Sequence, residues 1–175
     1  EDSHLYGLSS YMNNYAGYPI YNNSDVKYFP LGENKFEELI IQLKKAKHFI
    51  FLEYFIIDEG KMWDTILEIL KEKVKEGVEV RLMYDGTCMF ALLPHSYPKE
   101  MEKYGIKCTV YSPIRPALAM YQNNRDHRKI LVIDGKVAFT GGVNLADEYI
   151  NEIKRFGHWK DNAVMITGEA VRSFT

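Results

Sequence analysis

The chain has 175 residues, 46% of them hydrophobic and 26% charged, which suits one ordinary globular domain with a buried core. Lys+Arg of 22 against Asp+Glu of 24 leaves a net charge of -2, so the basic excess of a dedicated nucleic-acid binder is missing. No apolar run approaches the ~18 residues of a membrane span, and the opening "EDSHLYGLSS" has neither the basic nor the apolar region of a signal peptide.

Residues 1–30 are rich in Tyr and Asn and follow no clear period. They read as an irregular leader lying on the domain. The pattern sharpens from Asn34, which with Glu37 forms a capping pair ahead of Phe36, Leu39, Ile40 and Leu43 at helical spacing. "HFIFLEYFII" (48–57) is continuously apolar and β-branched or aromatic, and reads as a buried strand. Trp63, Ile66, Leu67, Leu70 and Val74 mark a second helix that Gly77 stops. Residues 78–84 form a strand, 98–105 a short helix and 106–111 a strand.

A long loop over 112–125 leads into a strand at 129–134, and Gly135-Lys136 turns it into a hairpin partner at 137–140. Residues 145–153 read as a helix, 162–167 as the last strand, and Glu169 as the start of a further helix. The alternation predicts an α/β layered domain around a central mixed β-sheet flanked by helices.

Three polar clusters fall at strand ends. Glu53 interrupts an apolar strand and needs a partner, either in a structural ion pair or in support of an active site. Asp85-Gly86 reads as a turn. The third cluster is "HRKILVIDGKVAFTGGVNLADEY". Residues i and i+2 of a strand share a face, so His127 and Lys129 project together and Asp134 stands out of phase with both. Cys88 and Cys108 have no metal spacing, and no zinc site is expected.

H-x-K-x-x-x-x-D followed by G-G-x-N is similar to the signature of the phospholipase D superfamily. His127, Lys129, Asp134, Gly141, Gly142 and Asn144 all fall at its spacing. "FIFLEYFI", "GVEVRLMYDG" and "HWKDNAVMITGEAV" narrow the likeness. From about Val26 onward the chain resembles the N-terminal catalytic half of bacterial cardiolipin synthases. The division expected is a leader over 1–30 and a phospholipase D-like half-domain over 31–175, cut from a longer chain.

That resemblance implies phosphatidyl transfer between two phosphatidylglycerols through a phosphohistidine, with no metal and no cofactor. It makes His127 the nucleophile or its acid–base counterpart. Lys129 and Asn144 hold phosphate oxygens, and Gly141 and Gly142 let backbone N–H groups approach. Many members carry a serine where Gly142 stands. Asp134 belongs to the family's catalytic set, although its phase favours bracing a turn. Asp161, just before the last strand, is the residue that would orient the imidazole.

The partners implied are a phospholipid, a membrane surface reached through segments not in this sequence, and a second H-x-K-D half from the same chain or a dimer mate. Nucleic acid is not expected. The full-length protein would sit at a bacterial cell membrane with this domain soluble on the cytoplasmic side. The His127 face is expected to be an open groove lined by Lys129 and Asn144. Two alternatives stand beside this reading: a homodimeric phosphodiesterase or nuclease of the same superfamily, and a catalytically incomplete fragment.

Overall fold

The apolar alternation at the centre of the chain builds a seven-stranded sheet of order β1-β7-β6-β5-β2-β3-β4. The structure is a computed structural model that describes residues 3–114, 124–155 and 157–175. Most of the loop expected over 112–125 lies outside the described residues. The strands are β1 Ser24–Phe29, β2 Phe49–Tyr54, β3 Glu79–Asp85, β4 Lys107–Tyr111, β5 Lys129–Ile133, β6 Val137–Gly141 and β7 Ala163–Gly168. β2, β3 and β4 run parallel, and the other ladders between these strands are antiparallel, so the sheet is mixed.

Helices α1 Ser3–Tyr15, α2 Gly32–Lys45, α3 Lys61–Lys75, α4 Cys88–Ala91 and α5 Tyr97–Lys103 accompany the sheet. The main core joins Leu39 and Leu43 of α2 and Trp63, Ile66 and Leu70 of α3 to Ile50, Leu52, Tyr54 and Leu131 of the sheet. On the other face a smaller cluster packs Val171 of a terminal 3₁₀ segment, Glu169–Phe174, on Val132, Ala138 and Ile166.

Four local expectations change. Residues 1–30 are not irregular: they hold helix α1 and edge strand β1, whose register runs Ser24↔Gly168 to Phe29↔Ala163. Only Phe29 of β1 is buried, which is why the strand shows no apolar alternation. Helix α2 begins at Gly32 with Leu31 as its cap, not at an Asn34–Glu37 pair. The helix expected over 145–153 shrinks to a 3₁₀ turn, Asp147–Ile150, ended by Asn151 at φ 56. The helix expected from Glu169 is likewise 3₁₀.

Asp85-Gly86 is more than a turn. The Asp85 carboxylate is fully buried and accepts N–H groups from Thr87 and Asp126 and a bond from Arg125. It therefore fixes the chain immediately ahead of His127.

Candidate functional site

The site lies where β2 ends and β5 begins. Their ladder sets Tyr54 opposite Lys129, and directly opposed residues present their side chains to the same face. Phe55, one residue beyond β2, is a floor that sequence reasoning missed. The exposed His127 ring meets it edge-on at 4.6 Å, and Lys129 Nζ lies 5.1 Å from its centroid. His127 and Lys129 are thus brought together over one aromatic ring.

The lysine also donates to the His127 carbonyl at 2.6 Å. It is only 4% exposed, and burial lowers its pKa, with Asp161 and Asp126 pulling the other way.

The segment before His127 is braced from two sides. Asp126 N donates to Asp85, and the Asp126 carboxylate takes Arg128 Nε at 3.0 Å. Glu53 Oε1 lies 2.6 Å from the same Nε but has no hydrogen bond, because the single Nε hydrogen serves Asp126. Glu53 therefore belongs to an Arg128–Asp126 charge cluster, and its place in the ladder, opposite Ile130, turns it to the sheet face away from Lys129. Burial, then Asp126, push its pKa up to about 7 against the pull of Arg128.

A carboxyl raised above its unfolded value stabilises the fold most below that value, and the contribution is lost as pH rises through the folded pKa. Here that window runs from about 4.5 to about 7. Between pH 5 and 8 the melting temperature of Glu53→Gln should fall less steeply than that of the wild type. Parallel thermal melts across that range check it, and identical slopes would refute it.

Asp134 stands at the far end of β5, on the order of 15 Å along the strand from the His127 end. It adopts φ 53 and accepts the backbone N–H groups of Lys47, His48 and Phe49, each at 2.8 Å. It clamps the entry of β2 to the β5–β6 turn, so the structure does not bring it to the imidazole as the family's catalytic set implies.

The Gly-Gly-x-Asn residues also depart from expectation. Gly142 N donates to Asn162 O, and a Cβ on Gly142 would meet Asp161 Oδ1 at 2.0 Å. The missing serine is explained: Asp161 occupies its space. Gly141, at φ 146, likewise leaves room for Asn162 O and Ala163, which a Cβ there would meet at 2.5 and 2.6 Å. Both glycines serve the β6–β7 junction rather than an open ligand seat.

Asn144 is 2% exposed, accepts Ile56 N through Oδ1 and donates to Tyr149 Oη. With Lys129 equally covered, the pair does not line an open groove. Asp161 makes no hydrogen bond to His127 among the described residues. Its Oδ1 accepts Asn162 N, and its charge acts on Lys35 and Lys129.

Sequence reasoning also missed Lys35. It stands four and eight residues before Leu39 and Leu43, in the buried stripe of α2. A lysine in phase with apolar neighbours was the available signal. A cavity of about 430 Å³, lined by Phe51, Glu53, Arg81, Met83 and Ile130 among others, opens on the opposite face of the sheet, away from His127 and Lys129.

With this geometry in place, comparison with known proteins decides the family. The family model described as "Cardiolipin synthase, PLD-like domain" matches residues 39–171.

The chain belongs to that family.

A protein of Streptococcus mutans with no described function is 60% identical across the whole chain, which covers 38% of that relative. The cardiolipin synthase of Geobacillus kaustophilus is 39% identical over 89% of the chain and 31% of its own length. This phospholipase D-like chain thus spans about a third of the curated relatives it matches. Among solved structures, Nuc of Salmonella typhimurium, a phospholipase D family member, superposes with a TM-score of 0.61 at 19% identity. It covers 86% of this chain and 88% of its own, and the likeness establishes the shared fold. No described helix is long and apolar enough to cross a membrane.

Proposed function

We propose that this chain is one catalytic half of a phosphatidyltransferase of cardiolipin synthase type. The observation that carries the reading is the exposed imidazole of His127 resting with Lys129 on Phe55 at the mouth of β5. His127 attacks the phosphorus of one phosphatidylglycerol. An N–P bond forms, the P–O bond to the headgroup glycerol breaks, and that oxygen leaves with a proton from a second histidine. A hydroxyl of a second phosphatidylglycerol then attacks that phosphorus, passing its proton to the second histidine as the N–P bond breaks, so cardiolipin and glycerol are the products. The covalent intermediate divides one difficult displacement into two easier ones. Lys129 offsets charge on the phosphoryl oxygens when it turns from the His127 carbonyl. Asp161, at the back of the site, steadies Lys129 electrostatically instead of orienting the ring.

One imidazole cannot attack phosphorus and protonate the opposite leaving oxygen in the same step. This sequence has one complete H-x-K-x-x-x-x-D motif: His158-Trp159-Lys160 repeats the H-x-K, but Met165 stands where the aspartate would, and His4, His48 and His95 have no lysine two places on. The second histidine comes from another segment or another copy, docked over the His127 face and close to a lipid surface. The 175-residue chain alone should therefore show little or no transfer from phosphatidylglycerol. Lipid extraction with sedimentation of the same sample tests this. Robust cardiolipin formation by a monomer would overturn it.

The similar-sized fold of Nuc favours one second reading, a symmetric dimer that hydrolyses phosphodiesters. Two copies of His127 facing one pocket, with turnover of DNA and none of lipid, would establish that reading instead.

A further inference from the structure

Lys35 is 1% exposed, yet among the described residues no carboxylate is hydrogen-bonded to it. Its Nζ donates to Val143 O at 3.0 Å and to Tyr54 Oη at 3.3 Å, and lies 5.2 Å from the Tyr54 ring. An ammonium has three donors, and two are used among the described residues. Burying such a group is costly, and an apolar side chain of similar volume would serve packing as well or better. The next two residues of the stripe, Leu39 and Leu43, are apolar.

Both acceptors of Lys35 adjoin residues of the family motif. Tyr54 is the ladder partner of Lys129, and Val143 stands between Gly142 and Asn144.

Resting on the phosphoryl-transfer reading, we propose that Lys35 is a positioning residue of this site. It fixes the 142–144 segment from beneath and adds a second positive charge behind Lys129 when a phosphate oxyanion binds. It touches no substrate and acts through Val143 and through the field at Lys129.

The groups bearing on Lys35 are Tyr54 from β2, Lys129 from β5 and Asp161 ahead of β7. Burial lowers its pKa to about 7; Asp161 opposes that, and Lys129 adds to it. Near neutral pH the amine is only partly protonated, and an arriving anion favours the charged form. Anion binding should therefore draw in a proton.

Sulfate, which has no titratable proton near neutral pH, is the probe. Calorimetric titration into the purified protein near pH 7, in two buffers of different ionisation enthalpy, reads affinity and proton uptake together. The wild type should take up more protons than Lys35→Met and bind about 10-fold more tightly. Tyr54→Phe keeps the lysine but removes its hydroxyl acceptor. It should retain the uptake with the midpoint moved to lower pH, and it supplies the readout if Lys35→Met melts early.

Equal sulfate affinity and equal uptake in wild type and Lys35→Met would overturn this inference alone. So would a Tyr54→Phe profile identical to the wild type. A wild-type protein that does not bind sulfate would overturn the phosphoryl-transfer reading and this inference with it.

Discussion

His127→Ala in the complete enzyme should abolish phosphatidyl transfer, a loss of roughly 10⁴-fold or more, because the attacking atom itself is removed. The fold should survive. His127 is exposed and its ring meets Phe55 edge-on, so truncation leaves no core cavity. The backbone around it is held by neighbours the substitution spares: Asp85 takes Asp126 N, and Lys129 takes the His127 carbonyl. The check is the rate of cardiolipin formation beside a thermal melt of the same preparation. A folded variant with near wild-type turnover would remove His127 from the reaction.

Asp134→Ala should do the reverse and act on stability. Three short bonds from the N–H groups of Lys47, His48 and Phe49 converge on one carboxylate, and hydrogen bonds to a charged acceptor are the stronger kind. The Lys47 and His48 positions are open to water, which softens the loss, so the expected cost is about 2–3 kcal/mol. Alanine also tolerates the φ of 53 poorly. Asp134→Asn accepts that conformation and keeps one acceptor, and should lose less.

Burial raises the Asp134 pKa, but the three N–H groups outweigh it and hold the carboxyl below its ordinary value. A depressed carboxyl contributes stability above its unfolded pKa of 3.8, lost as pH falls through the folded value. The gap between wild type and Asp134→Asn in chemical denaturation should therefore narrow in acid. A variant that melts like the wild type yet has lost all turnover would return Asp134 to the catalytic set.

The contrast between these two residues marks what the sequence could carry. Strand parity separated Asp134 from His127 and Lys129, because side-chain direction within a strand is a local property. The apolar runs of β2 and β5 were legible for the same reason: strands buried on both faces read as continuous apolar segments. Edge strand β1 was not, since five of its six residues are open or half-open and leave no alternation to read.

Gly142 and Asp161 were singled out, but their relation was hidden. The aspartate fills the volume of a side chain the glycine lacks, a contact made only when β6 and β7 come together. Asn144 was singled out as a phosphate ligand, and tertiary structure instead engages its amide with Ile56 N and Tyr149 Oη. Phe55 and Lys35 were missed because an aromatic at a strand end and a lysine at a helix start look ordinary until the sheet sets them around the site.

The most direct test of His127 as nucleophile is to quench the complete enzyme during turnover of phosphatidylglycerol, under conditions that preserve phosphohistidine, and map adducts by mass spectrometry. The account predicts a phosphatidyl mass on the peptide containing His127, absent from His127→Ala. Steady cardiolipin formation with that peptide unmodified, or with the adduct on another residue, would contradict it.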